Sequence, residues 1–232
     1  MTKLVINTLL VATVLFASGC ANRNMQDKNS GFLKNYDGLE EHDNLEGTRV
    51  RITPGADFTG YENIYIEKVE IVSAIPEKDW TPHQKIMFEK MSKYLTDGYK
   101  KAVNEGTAYR LVEDKSLPNT LVFEGAISAV EVHFDDMEWY QFTPITLGLT
   151  VVARATYVDG AVRILGEGRF TDAQTGKVLL RAMTLQKAEE VSTEEDRLVF
   201  NDVKPGLDAW LKRTNKNLVK LRKGIINYHK KQ

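Results

Sequence analysis

Asp135, Asp136 and Glu138 fall within one four-residue stretch, with His133, Trp139 and Tyr140 beside them. Carboxylates grouped in this way could coordinate a cation, or divide acid and base roles between them. Neighbouring residues of an extended chain point to opposite sides, however, so Asp135 and Asp136 would not converge if the strand before them continued. The simplest reading is an exposed connection between strands whose aromatic residues pack at the domain edge. A partner-contact surface built on Trp139, Tyr140, Asp135 and Asp136 comes next, and catalysis by these groups comes last.

No other catalytic constellation stands out. The serines of the chain lie outside any Gly-x-Ser-x-Gly elbow, and His42, His83, His133 and His229 are scattered without a His-Glu-x-x-His pair. A phosphate-binding Gly-x-x-x-x-Gly-Lys loop is missing too, so neither a metal nor a dissociable cofactor is expected. The formal net charge of -1 argues against nucleic acid, which calls for a markedly basic domain. Charge is nevertheless uneven: residues 204–232 carry nine Lys or Arg against the single acid Asp208, after an acidic stretch over 187–203. Lys212, Lys216 and Lys220 are therefore candidate contacts for anionic head groups or an acidic partner, with an ordinary solvated helix face as the plainer alternative.

The one reactive side chain with an evident task is Cys20, the sole cysteine among 232 residues. Lys3 precedes a mostly apolar run from Leu4 to Phe16, and small residues Ala17-Ser18-Gly19 lead into the cysteine, the order of an export signal peptide over 1–19. Ala17-Ser18-Gly19-Cys20 resembles the bacterial lipobox. That resemblance implies cleavage before Cys20, a diacylglycerol on its sulfur and a palmitate-type acyl chain on the new amino group. Several chains suit permanence, since each buried CH₂ contributes about 0.8 kcal/mol and one chain alone holds marginally. Ala21 after the cysteine implies the outer membrane, facing the periplasm. With no second cysteine an internal disulfide is impossible, and the fold must rest on its core.

Residues 20–30 are nearly devoid of apolar side chains and read as a flexible tether. Residues 31–60 read as an ordered but irregular lead-in, because Gly and Pro recur, with Phe32, Leu33 and Tyr36 packing on the body. Gly31-Phe32-Leu33 with Tyr36 and Leu39, Pro54-Gly55-Ala56-Asp57 with Tyr61, and Asp172-Ala173-Gln174-Thr175-Gly176 together resemble a family of uncharacterised bacterial lipoproteins known only as a domain of unknown function, DUF3313. The resemblance implies a lipid-anchored periplasmic domain and supplies no catalytic residue. The Asp172–Gly176 stretch by itself has the composition of a turn.

One domain over 61–232 should position these groups. Ile64–Val72 reads as a central strand, and Thr81–Gly106 as a helix capped by Thr81, opened by Pro82 and stopped at Gly106. Gly98 inside it suggests a close approach to a sheet. A short strand at 109–112 and a long one over 121–134 follow, with a bulge expected at Gly125. Residues 147–158 and 161–170 alternate on either side of Asp159-Gly160 and predict a hairpin, and a second turn at 173–176 leads into 178–185. A last helix over about 202–227 should bury Leu207, Leu211, Leu218, Leu221 and Ile225, with Trp210 at the margin.

The expected fold is α+β: an antiparallel or mixed sheet of about five or six strands with two long amphipathic helices packed on one face. The expected function is a non-enzymatic, lipid-anchored outer-membrane lipoprotein that binds another envelope component, protein or lipid. An alternative is a carrier of a small apolar ligand or lipid, with a pocket lined by Met87, Met91 and strand residues. A hydrolase using the acidic loop ranks third.

Overall fold

The computed structural model describes residues 30–42, 45–73, 75–133, 160–191 and 199–226. Helix α1 (Pro82–Glu105) begins as its sequence demands. The Thr81 hydroxyl accepts from the Gln84 amide and the Gln84 side chain accepts from the Thr81 amide, which satisfies two donors that the first turn would leave unpaired. Gly106 ends it. Its apolar face buries Met87, Phe88, Met91, Leu95 and Val103. Helix α2 (Phe200–Arg222) starts two residues earlier than expected, where Asp202 accepts from the Val199 amide, and ends five residues earlier.

The strands are β1 (Glu40–His42), β2 (Leu45–Ile52), β3 (Asn63–Ile66), β4 (Glu70–Ile71), β5 (Arg110–Leu111), β6 (Thr120–His133), β7 (Gly160–Asp172) and β8 (Val178–Val191). They form one mixed sheet of eight strands in the order β1-β2-β8-β7-β6-β3-β5, with β4 also on β6. Strands β3 and β4 run parallel to β6, and β6-β7-β8-β2-β1 is antiparallel throughout. The count exceeds the five or six expected because β1 and β2 arise within the segment read as irregular. The outer edge of β8 supplies a ladder for Thr48–Ile52, and Val50 and Ile52 are buried by it.

Three further differences have local causes. The strand expected over 64–72 is broken into β3 and β4 by one extra residue between Ile66 and Glu70, opposite Phe123 to Ala126 of β6. At the break the Val69 amide donates to the Thr96 hydroxyl and the Ser92 hydroxyl donates to the Val69 carbonyl, so α1 takes over both backbone groups. The bulge in β6 falls at Ser128 rather than at Gly125, which is in register with Gly168. Both edges of β7 are occupied, by β6 and β8, so the edge that an Asp159-Gly160 hairpin would use is taken by β6. Residues 147–158 lie outside the described residues.

Both helices pack on one face. A first core cluster joins α1 to α2 through Met91, Leu95, Val203, Leu207 and Trp210 over Ile127 and Ile164. Gly98 meets Leu211 of α2, not the sheet: a Cβ there would collide with the Leu211 side chain. Trp210 is 6 % exposed, at the centre of the core rather than its margin, whereas Ile225 is 47 % exposed and its neighbour Ile226 is buried. On the other face, Leu33 is buried, Phe32 lies under the Arg169 guanidinium at 5.2 Å, and Tyr36 reaches Glu167, as the packing of the lead-in requires.

Candidate functional site

Register places side chains of the helix-covered face in rows across the sheet. Phe123, Phe170, Leu180 and Ile52 make one row, and Ile127, Gly166, Thr184 and Thr48 make another. Between them runs Gly125, Gly168, Ala182 and Val50, a row in which three neighbouring strands present almost no side chain. The Trp210 ring fills the gap over Gly166, where a Cβ would sit 2.6 Å from its Cη2. The Phe123 ring leans over Gly125 and Gly168, whose Cβ atoms would stand 3.1 Å from it.

The second half of α2 leaves the rest of the row uncovered. A cavity of about 440 Å³ lies there, floored by the small-residue row and walled by Ile64, Ile66, Leu95, Val103, Leu218 and Leu221. Its polar lining comes from Tyr99, Thr48, Thr184 and one side of α2, which contributes Arg213, Thr214, Lys216, Asn217 and Lys220. Arg213 donates to Gln186. Burial pushes the Tyr99 hydroxyl up to about 12, and the nearby Arg213 charge partly opposes this. Trp210 Nε1 is buried with no hydrogen-bond partner among the described residues, and Trp210 lines the cavity. Glu167 is the only carboxylate among the described lining residues, but its side chain belongs to the opposite face of β7, where Oε2 accepts from the Tyr36 hydroxyl at 2.6 Å.

The structure thus divides the residues singled out by sequence. Lys216 and Lys220 come together at the cavity, whereas Lys212 is exposed on α2 outside its lining. Met87 and Met91 do not line it, because both are fully packed between α1 and the sheet; the cavity lies further along α1, at Leu95, Tyr99 and Val103. Asp135, Asp136, Trp139 and Tyr140, and likewise Cys20, lie outside the described residues. His133 ends β6, paired with Ala161 of β7. Among the described residues there is no group of three His, Cys, Asp or Glu that could hold a metal ion. Trp210, Arg213 and the small-residue row were not foreseen; glycines at 125, 166 and 168 within strand patterns were the available signal.

The remaining family-like residues turn out to be fastenings. Tyr61 donates to Asp172 Oδ2 at 2.6 Å, while Oδ1 of the same carboxylate accepts from the Gln174 and Thr175 amides and the Thr175 hydroxyl. Burial alone would raise the Asp172 pKa, but these hydrogen bonds outweigh it and hold the group below the usual carboxylate range. Arg222, at the end of α2, donates to the Tyr61 carbonyl and stacks on Tyr109 at 5.3 Å. Glu124 is held below its ordinary value chiefly by its paired hydrogen bonds with Arg169.

Comparison with known proteins follows the same residues. The chain is 26 % identical over 199 residues to the uncharacterized lipoprotein YdcL of Escherichia coli K12, covering 84 % of this chain and 87 % of that protein. Among solved structures, the PelC dodecamer from Paraburkholderia phytofirmans is similar at a TM-score of 0.40 and 14 % identity, covering 75 % of this chain and 98 % of that one. A DUF4136 family protein from Bacteroides thetaiotaomicron is similar at 0.37 and 13 % identity, covering 74 % and 96 %. The family model described as protein of unknown function (DUF3313) matches residues 28–214, which include the lead-in, the Tyr61–Asp172 and Glu124–Arg169 fastenings and most of the cavity, and the chain belongs to that family.

Proposed function

We propose that this protein is a lipoprotein, anchored through Cys20 in the outer membrane and facing the periplasm, and that it is a non-enzymatic binding protein for an apolar ligand. The observation that carries the binding role is the cavity of about 440 Å³ between the sheet and α2, a volume within the range of about 300–1,000 Å³ of small-molecule sites. Apolar walls with a few polar groups on one side suit a ligand that is mostly hydrocarbon. The anchor reading is supported by the Ala17-Ser18-Gly19-Cys20 motif and by the lipoprotein name of the relative YdcL. Among the described residues no helix is long and apolar enough to cross a membrane. Beyond the acyl groups on Cys20 no cofactor is required, and nucleic acid is not the partner.

The test has two parts. Cys20→Ala should release the protein from membranes and remove the mass of the acyl groups; a variant that stays membrane-bound at unchanged mass sinks the anchor. Native protein extracted with organic solvent should yield a bound apolar molecule, and a delipidated sample should bind a neutral apolar fluorophore. Failure of both would return the protein to the second reading, an adaptor for another envelope protein. That reading is favoured by the exposed lysines Lys212 and Lys216 of α2 and Lys223 just beyond its end. Cross-linked capture from envelopes, lost on charge reversal at Lys212, would support it.

A further inference from the structure

Tyr99 lines the cavity, and its hydroxyl has no hydrogen-bond partner among the described residues. The ring is held in place: it meets Phe123 edge-on at 5.1 Å, and Phe123 lies 5.2 Å from Phe170. A hydroxyl fixed in this way, away from bulk water, is a donor without an acceptor, which is costly until one arrives. Arg213, whose charge reaches Tyr99, can only donate, so an acceptor is the group that this side of the cavity lacks. The acceptor need not be an anion, because Arg213 already donates to Gln186 and Lys216 is exposed to solvent.

The same aromatic residues shape the space. Phe123 leans over Gly125 and Gly168 and closes that end of the small-residue row, which leaves the part toward Ala182 and Val50. Tyr99, Phe123 and Phe170 all border the cavity. A short space edged by aromatic rings suits a flat, compact molecule better than an extended chain, since rings pack offset or edge-to-face against one another. We infer that the ligand is a compact, neutral, carbonyl-bearing ring system whose oxygen accepts a hydrogen bond from the Tyr99 hydroxyl. This rests on the binding role proposed above and adds the ligand's shape and its polar group.

The experiment titrates delipidated full-length protein with three probes of equal carbon number: fluorenone, fluorene and a straight-chain ketone. Fluorenone differs from fluorene only at the carbon that bears the carbonyl, so the ratio of their affinities isolates the acceptor. Fluorenone should bind about three- to tenfold more tightly than fluorene, the discrimination of one neutral hydrogen bond, and more tightly than the chain ketone. Tyr99→Phe should bring fluorenone to the affinity of fluorene while leaving fluorene binding and the circular dichroism spectrum unchanged. Equal wild-type affinity for fluorenone and fluorene, or a preference that survives Tyr99→Phe, overturns the inference at its polar contact. Tighter binding of the chain ketone overturns it at the ring. Either result leaves the apolar-ligand role standing, whereas a folded protein that binds none of the probes overturns both.

Discussion

The Tyr36 hydroxyl donates to Oε2 of Glu167 over 2.6 Å, which fastens the segment ahead of β1 to β7 in the middle of the sheet. Glu167 is 4 % exposed, and its Oε1 has no hydrogen-bond partner among the described residues, so Tyr36 is the donor that makes its burial tolerable. Tyr36→Phe should cost about 1–3 kcal/mol in urea unfolding by leaving that carboxylate unpaired. The bond also has a pH signature. Burial, with Glu167 adding to it, pushes the Tyr36 hydroxyl up to about 12. Its raised value means that the contribution is fully present below the ordinary value near 10 and is lost as pH rises through about 12. Wild type should therefore lose more stability across that window than Tyr36→Phe does.

Gly166 is occupied by the Trp210 ring, whose Cη2 and Cζ2 would lie 2.6 and 2.9 Å from an added Cβ. The ring cannot yield as the end of a flexible side chain would. Gly166→Ala should destabilise by about 1–3 kcal/mol through overpacking. Combining it with Trp210→Phe should cost less than the sum of the two changes, a coupling that a double-mutant cycle reads directly.

Ala182→Leu separates ligand binding from folding. The added atoms enter the cavity above the small-residue row, so stability should hold or rise by about 0.5–2 kcal/mol, as cavity-filling changes commonly do. Binding of an apolar fluorophore should disappear in the same variant. Retained binding would place the ligand elsewhere.

Acid should act through Asp172. Hydrogen bonds from Tyr61, Thr175 and Gln174 hold its carboxylate low, so its contribution is present above the unfolded value of about 3.9 and lost as pH falls through the lower folded value. Asp172→Asn should flatten the fall in urea midpoint as acid is added. Some fall should remain, because Glu124 is also held low, by Arg169, and has the same sign.

Thr81→Ala removes the side chain that accepts from the Gln84 amide. A loss of about 1 kcal/mol is expected, together with faster hydrogen exchange in the first turn of α1.

What could be read from the chain alone was what is local. The Thr81-Pro82 start and Gly106 stop of α1 are written in neighbouring residues, as is the Asp172–Gly176 turn between β7 and β8. Strands β1 and β2 were not legible, because Thr48 becomes a strand residue by pairing with Thr184, 136 positions later. The same holds for the candidate site. Lys216 and Lys220 were visible as cations, but the trough they border exists only once register aligns Gly125, Gly168 and Ala182 from three strands. Met87 and Met91 had the apolar character of a pocket wall, yet their position over Ile127 and Ile164 puts them in the packed part of the core.

The early residues of this domain are completed by its late ones: Tyr36 by Glu167, Thr48 by Thr184, and the Tyr61 carbonyl by Arg222. Contacts so distant along the chain close large loops before they return any stabilisation, which slows folding. A chain emerging amino end first therefore holds Tyr36, β2 and the Tyr61 carbonyl without their partners until β7, β8 and α2 respectively have followed. The order of assembly, and not only the finished shape, is built into which strand pairs with which.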